Sequence, residues 1–270
     1  MNFNSATVLF FSPTGTTRKI AHAIADGIGV EDTSFVDITQ KGARDKLLTE
    51  ISTDLLIVGY PVYSELAPEI VTEALHAITI TQQPAAVFCV YGNVGFGMSL
   101  RQITSLLTDR GLPVVACGAF IGEHSFSTDG TPLAKGRPDE QDLERARVYG
   151  TSIRDRLLSE ESVNGLTPDS VQGTFPLIAR IIPKNSAQLL TRPPVINSSC
   201  NNCMACRKSC PTGAINDDLS IDASRCIRCF SCVKNCVKHG RNITYRVKPL
   251  VNHVLSSWNK KRMQVQTFFA

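Results

Sequence analysis

The chain has 270 residues, of which 43% are hydrophobic, and it carries 28 Lys and Arg against 24 Asp and Glu. This length can bury a sizeable core and favours two domains. No apolar run is long enough to span a bilayer and residues 1–5 lack the basic character of a signal peptide, so we expect a cytoplasmic protein without a transmembrane segment.

Residues 1–160 form the first predicted domain, in which strands alternate with helices. The apolar run at residues 7–11 is typical of a strand that is buried on both faces of a parallel sheet. Residues 16–28 carry apolar side chains at positions 20, 23, 24 and 28, the spacing of one helix face. Further strands are predicted at 34–37, 55–59, 86–91 and 114–120, and further helices near 44–51 and at 68–78, 99–110 and 139–158. This alternation predicts an α/β fold with a doubly wound, five-stranded parallel sheet.

The loop at residues 12–17, Ser-Pro-Thr-Gly-Thr-Thr, follows the first predicted strand directly. Doubly wound sheets bind their ligands at the carboxyl ends of the strands. Four hydroxyls, one glycine and the start of a helix make a site suited to a phosphate. The loop lacks the glycines of a dinucleotide fingerprint and the Gly-Lys of a Walker loop. An ordinary capped helix start is the alternative interpretation.

Two cysteine runs of identical spacing lie near the end of the chain. Each has the pattern C-x-x-C-x-x-C-x-x-x-C, and the members are Cys200, Cys203, Cys206 and Cys210 in the first run and Cys226, Cys229, Cys232 and Cys236 in the second. A disulfide framework does not suit a chain without a secretory signal, and zinc sites do not use a doubled three-plus-one pattern. The spacing is that of sites for 4Fe-4S clusters.

The cysteine runs resemble those of bacterial two-cluster ferredoxins over residues 196–246. The resemblance implies a small α+β domain with two 4Fe-4S clusters in which the fourth cysteine of each run binds the other cluster. One cluster would be held by Cys200, Cys203, Cys206 and Cys236, and the other by Cys226, Cys229, Cys232 and Cys210. The second run has Val237 where the first has Pro211, a departure that removes no ligand.

The first domain resembles a flavodoxin, because residues 12–17 match the FMN phosphate loop of that family position by position. The resemblance implies that FMN is bound by the phosphate loop and by two loops that hold the flavin ring. The residues concerned are Ser12, Thr14, Gly15, Thr16 and Thr17 in the first loop, Pro61, Val62 and Tyr63 in the second, and Gly92, Asn93, Gly95 and Phe96 in the third. Tyr63 is the first candidate to stack on the ring, with Phe96 and Tyr60 as alternatives.

The whole chain resembles a group of flavodoxin-ferredoxin fusion proteins. This implies an iron-sulfur flavoprotein that transfers electrons between FMN, two 4Fe-4S clusters and redox partner proteins. The alternative is an FMN-dependent reductase of a small organic substrate, fed with electrons through the clusters. His124, Ser125 and Phe126 would then line the substrate side of the ring. The competing interpretation of His124 is a loop histidine that hydrogen-bonds to backbone.

The rest of the chain is assigned to a connector and a C-terminal extension. Five prolines between residues 160 and 199 predict a connector at 161–195. Residues 247–270 would form the extension, with a helix at 249–263 and a terminus at 268–270 that is frayed or forms a homodimer contact.

Positive charge is concentrated in the last part of the chain. Residues 200–270 carry 12 Lys and Arg against 3 Asp and Glu. These cations would offset the negative charge of the clusters, or would form a docking patch for an acidic redox partner. Nucleic acid is not an expected partner, since no recognition module accompanies the charge.

Overall fold

The computed structural model describes residues 3–45, 50–159, 164–171, 186–247, 253, 256–257 and 261–270. Its main elements follow one another as β1 (Ser5–Phe10), α1 (Thr16–Ile28), β2 (Asp32–Asp37), α2 (Lys41–Arg44), β3 (Glu50–Ile51), β4 (Leu55–Pro61), α3 (Glu69–Ala77), β5 (Thr79–Ile80), β6 (Ala85–Tyr91), α4 (Ser99–Asp109), β7 (Val114–Ile121), α5 (Glu140–Leu158), α6 (Ser186–Leu190), β8 (Thr191–Ile196), α7 (Ala205–Lys208), α8 (Ser231–Lys234), β9 (Arg241–Tyr245) and β10 (Gln266–Phe269). None of these helices, in the part of the chain that is described, is both long and apolar enough to cross a membrane.

The main sheet has the strand order β10-β7-β6-β4-β1-β2. Its strands β2, β1, β4, β6 and β7 run parallel. Apolar side chains of α1 and α5 cover one face, and those of α3 and α4 cover the other. The central strands are therefore buried on both sides, which explains why they are continuous apolar runs. The structure confirms the doubly wound, flavodoxin-like α/β sheet that the sequence predicts.

The strand order reverses between β1 and β4, so ligand-binding loops are expected where these strands end. The loops after the central strands lie side by side at this edge. The Val62 N–H donates to Val90 O at 2.9 Å, and the Gly122 N–H donates to Tyr91 O at 3.0 Å. These backbone bonds place the candidate site on a rigid part of the fold.

The sixth strand of the main sheet, β10, comes from the far end of the chain. It pairs antiparallel with β7, with Phe268 opposite Cys117, and the Phe268 ring lies 6.4 Å from the Phe96 ring. The Ala270 N–H donates to Val115 O at 3.1 Å. The prediction of a frayed terminus at 268–270 is therefore wrong, and so is a separate extension at 247–270, because β10 completes the sheet of the first domain.

Phe268→Ala is expected to lower the free energy of unfolding by about 2 kcal/mol, because it removes a partly buried ring that packs on the sheet core. Thr267→Ala is the matched control, since the Thr267 side chain is exposed on the same strand, and it should change stability by less than about 0.5 kcal/mol. Urea unfolding followed by circular dichroism measures both. Equal stabilities would mean that the Phe268 ring contributes nothing to the stability of the sheet.

Two further predicted boundaries differ from the structure. A helix near 44–51 is wrong, because α2 ends at Arg44 and Ile51 is buried in the core, where it pairs with Ile80 between β3 and β5. The connector at 161–195 overlaps β8, which pairs with β9 and so belongs to the second domain. The helix predicted at 249–263 lies largely outside the described residues.

The cysteine module, residues 186–247, is built on two copies of one backbone pattern. β8 and β9 form an antiparallel pair, and the short helices α7 and α8 contain the third cysteine of each run. Asn202 and Arg228 precede the second cysteine of their runs with φ of 55° and 58°, and Met204 and Phe230 follow it with φ of 61° and 56°. The two runs therefore fold alike, and differences between them come from their surroundings.

Candidate functional site

The loop between β1 and α1 is held open around Gly15. Gly15 has φ +85°, and a Cβ at this position would meet no atom within 4 Å, so the backbone here faces open space. Ser12 Oγ accepts a hydrogen bond from the Arg18 N–H at 2.9 Å, and the Ser12 N–H donates to Thr39 Oγ1 at 2.8 Å. The loop is thus fixed by bonds that leave its tip, Thr14 and Gly15, uncovered.

Thr16 and Thr17 begin α1 directly behind this tip. Thr16 lies against Gly122, where an added Cβ would be 3.3 Å from Thr16 Oγ1. Thr17 Oγ1 is buried and has no hydrogen-bond partner among the described residues. A buried hydroxyl without a partner is costly. A phosphate at the loop would satisfy it, so the residues present fit the phosphate of FMN.

The loop after β4 carries Tyr63 at the same edge. The backbone of Tyr63 exchanges two hydrogen bonds with Leu66, at 2.9 and 3.1 Å, which turns the chain sharply. Its partly exposed ring stands edge-on to Phe11, with centroids 6.5 Å apart. Burial, followed by the nearby Cys229 thiol, raises the pKa of the Tyr63 phenol well above its ordinary value. Tyr63 and Ile227, which follows the first cysteine of the second run, both pack against the core of the main sheet.

The two alternatives to Tyr63 as the stacking residue are core residues. Tyr60 is fully buried, and its hydroxyl donates to Ser99 O at 2.9 Å. Phe96 is 1% exposed, with its ring 5.7 Å from that of Tyr91 on the side of the sheet core. Both rings are buried in the core, which favours Tyr63 over them, and the identity of the stacking residue stays a prediction.

The loop after β6 is tied to the end of the chain through Asn93. Asn93 Nδ2 donates to Lys261 O at 2.7 Å, and Asn93 Oδ1 accepts from the Met263 N–H at 3.0 Å. The side chain predicted to contact the flavin therefore holds the segment that leads into β10. Gly92 and Gly95, with Pro61 and Val62 of the neighbouring loop, remain candidates through their backbone groups.

His124 and Phe126 lie in the loop after β7, but they face protein. A Cβ at Gly92 would be 2.2 Å from His124 Cδ2, so the imidazole packs on that glycine. His124 Nδ1 accepts from the Phe126 N–H at 3.0 Å. Burial, and then the charge of Lys234, lower the pKa of His124 to about 4, which keeps the ring neutral. Ser125 between them is partly exposed.

Four cysteines from both runs surround one cavity in the cysteine module. Its lining includes Cys210 from the first run together with Cys226, Cys229 and Cys232 from the second. Burial raises the pKa of the Cys229 thiol, and iron would offset this cost by replacing the proton. No three ligating side chains among the described residues converge on a single-ion site, but a cubane takes its four thiolates on four separate irons.

Three of the other four cysteines, Cys200, Cys206 and Cys236, have contacts around Gly240 and Arg241. Cys236 Sγ accepts from the Gly240 N–H at 3.2 Å, and a Cβ at Gly240 would lie 2.9 Å from Cys200 Cα, so Cys236 is next to Cys200. Arg241 Nε donates to Cys206 Sγ at 3.4 Å. Cys236 of the second run thus lies beside the first cysteine of the first run, and the assignment of four ligands to each cluster stays a prediction.

The two runs differ in what covers them. Cys203, Asn202 and Met204 of the first run are exposed or partly exposed, whereas Cys229, Arg228 and Phe230 at the equivalent places are all buried. The Phe230 ring stands edge-on to Phe126, with centroids 5.2 Å apart. The second run is therefore packed against the loops at the sheet edge.

Polar contacts hold the cysteine module on those loops. Lys234 Nζ donates to Glu123 Oε1 at 2.7 Å and to Ser127 O at 2.6 Å. Arg44 Nη2 donates to the carbonyl of Pro211 at 2.6 Å. Sequence reasoning assigned Lys234 to the clusters or to a docking patch. Nothing in the local sequence marks Arg44, Glu123 or Ser127 for these contacts with the cysteine module.

Comparison with known proteins identifies part of this module. Residues 193–216 match the family model of a 4Fe-4S binding domain. The match contains the first cysteine run. The chain thus carries a 4Fe-4S binding domain joined to a flavodoxin-like sheet. No curated protein matches the chain.

Solved structures resemble the first part of the chain. A flavodoxin from the domain Archaea is 17% identical, with 57% of this chain and 98% of that chain covered and a TM-score of 0.38. Oxidised Flavodoxin 2 from Bacillus cereus is 16% identical, with 56% and 99% covered and a TM-score of 0.42. The Flv1 flavodiiron core from Synechocystis sp. PCC6803 is 21% identical, with 57% and 36% covered and a TM-score of 0.40.

Proposed function

We propose that this protein is an electron-transfer iron-sulfur flavoprotein that binds FMN at the sheet edge and two 4Fe-4S clusters in the cysteine module. The observation that carries the proposal is that the second cysteine run packs against the loops at the sheet edge, through Phe230 on Phe126 and Lys234 on Glu123. FMN accepts two electrons and releases them singly, while each cubane carries one, so the pairing suits the collection or splitting of reducing equivalents.

The exposed run supports entry of electrons from a partner protein at Cys203. Arg207, Lys208 and Lys238 are exposed on this module. Such cations would steer an acidic redox protein towards the exposed cluster site. In the second run, in contrast, Cys229 and its two sequence neighbours are buried. The first cysteine run would thus exchange electrons with the partner protein, and the second run would exchange them with the flavin.

The alternative, a reductase of a small organic substrate, places His124 and Phe126 on the substrate side of the ring. Phe126 is 6% exposed and packs on Phe230, and its carbonyl accepts from the Tyr245 hydroxyl at 2.9 Å. These contacts within the protein favour the electron carrier, because they leave little of Phe126 for a substrate. His124 at its lowered pKa is a poor proton donor at neutral pH.

His124→Ala is expected to leave electron transfer from a low-potential ferredoxin-type donor, through the clusters, to a protein acceptor unchanged. Stopped-flow absorption of the flavin and the clusters measures this transfer. His76→Ala, at an exposed position on α3, controls for the loss of a histidine. A selective loss of turnover with an organic acceptor in His124→Ala would favour the reductase.

A further inference from the structure

One side chain of the cysteine module reaches into the candidate phosphate loop. Asn235 Nδ2 donates to the carbonyl oxygen of Pro13 at 2.9 Å, and the same amide nitrogen lies 3.1 Å from Ser231 Oγ. Ser231 is buried at the start of α8. Ser231 of the cysteine module thus supports the Asn235 amide, and the amide in turn holds the backbone of the candidate phosphate loop.

This contact fixes the orientation of a peptide group in the loop. The Pro13 carbonyl and the Thr14 N–H belong to the same planar trans peptide and point in opposite directions. A bond from Asn235 to the carbonyl therefore turns the Thr14 N–H away from the cysteine module. The Gly15 N–H donates to Ser12 O at 3.3 Å, and Gly15 lies in the left-handed region. The N–H groups that follow are those of Thr16 and Thr17 in the first turn of α1. Backbone N–H groups arranged in this way are the donors of an anion site.

The contact is specific to one of the two runs. Asn235 directly precedes the fourth cysteine of the second run, and the equivalent residue of the first run is Ser209. The Ser209 hydroxyl bonds to Cys206 O at 3.4 Å within its own module. The backbone that the two runs share does not by itself produce the bond to Pro13. The bond requires both an asparagine at position 235 and the packing of the second run against the first domain.

We propose that Asn235 is a positioning residue for the flavin phosphate, acting through the Pro13–Thr14 peptide, and that it links phosphate binding to the occupied cluster sites. The inference rests on the proposed FMN site. Asn235 lies between Lys234, which is bonded to Glu123 and Ser127, and Cys236, a predicted cluster ligand. Removal of the clusters frees Cys236 and loosens the segment that holds Pro13. By linkage, FMN binding and cluster binding then strengthen each other.

The test measures the dissociation constants of FMN and riboflavin by flavin fluorescence, on cluster-loaded protein from which the flavin has been removed. Asn235→Asp keeps the shape but cannot donate when ionised, and Asn235→Ala removes the group. We expect each to weaken FMN binding about tenfold and to leave riboflavin binding unchanged, because riboflavin has no phosphate. Asn201→Asp, an exposed position in the first run, makes the same change of charge and should alter neither constant.

The linkage has its own measurement. Removal of the clusters with a chelator should weaken FMN binding to the wild-type protein and should have a smaller effect on Asn235→Ala, whose loop is already released. Equal losses for FMN and riboflavin would show that Asn235 acts through the ring or through general unfolding, and unchanged FMN binding would also overturn the inference. Failure of the wild-type protein to bind FMN would instead refute the proposed function.

Discussion

Cys229→Ala is expected to halve the iron content and to uncouple the flavin from the remaining cluster. The wild-type chain should hold about eight iron and eight sulfide after anaerobic reconstitution, and a variant that lacks one cluster should hold about four. Cys229 belongs to the run that packs against the loops at the sheet edge, so the cluster that it would hold is the one nearer the proposed flavin site. In single-turnover stopped flow, reduction of the flavin and of the other cluster should proceed independently in this variant.

Cys203→Ala is the matched control. It removes the same number of thiolates from the equivalent place in the exposed run, so the iron loss should be equal, but the flavin and its neighbouring cluster should still exchange electrons. Cys210→Ala should behave like Cys229→Ala although it lies in the first run, and Cys236→Ala should behave like Cys203→Ala. If Cys210→Ala instead behaves like Cys203→Ala, or if reconstituted protein contains stoichiometric zinc, the crossed two-cluster assignment is wrong.

Replacement of Thr14 and Thr17 together by valine is expected to weaken FMN binding by about two to four decades. Each hydroxyl would donate to a charged phosphate, and such hydrogen bonds contribute roughly 1.5–3 kcal/mol each. Isothermal titration of the flavin-free protein measures the affinity. Riboflavin should bind the variant and the wild-type protein alike.

The same threonine should have the opposite effect on the stability of the flavin-free protein, which should not fall when Thr17 is replaced by valine. Thr17 Oγ1 is buried without a partner, so Thr17→Val alone should leave the urea midpoint unchanged or raise it. Thr104→Val is the contrasting control, because the Thr104 hydroxyl contacts Cys117 Sγ at 3.3 Å in the core. A large loss of stability in Thr17→Val would mean that the hydroxyl serves the fold, and the phosphate assignment would lose its main support.

The sequence predicts the parallel strands well because a strand covered by helices on both faces must be apolar throughout. β4, β6 and β7 are such strands, and their predicted bounds differ from the observed ones by at most two residues. The cysteine runs are equally informative, since the spacing of ligands along the chain follows from the shape of the cluster.

What the sequence could not predict depends on contacts between distant parts of the chain. Phe96 was a candidate for the flavin ring, yet it is buried, partly because Phe268 from β10 packs on it. Arg228 and Asn202 have the same local backbone, yet Arg228 is buried and Asn202 is exposed. Asn235 shows the same limit, because nothing local indicates that its amide meets Pro13.

The position of β10 bears on how the protein is made. This strand comes later in the chain than both cysteine runs, so the ribosome completes the cluster-binding segment before the sheet receives its antiparallel edge. Until then β7 presents an unpaired edge, the kind of surface that invites aggregation. The cluster-binding segment is consequently an insertion anchored at both ends, and a protease cut within it would leave two pieces of one sheet still paired through β7 and β10.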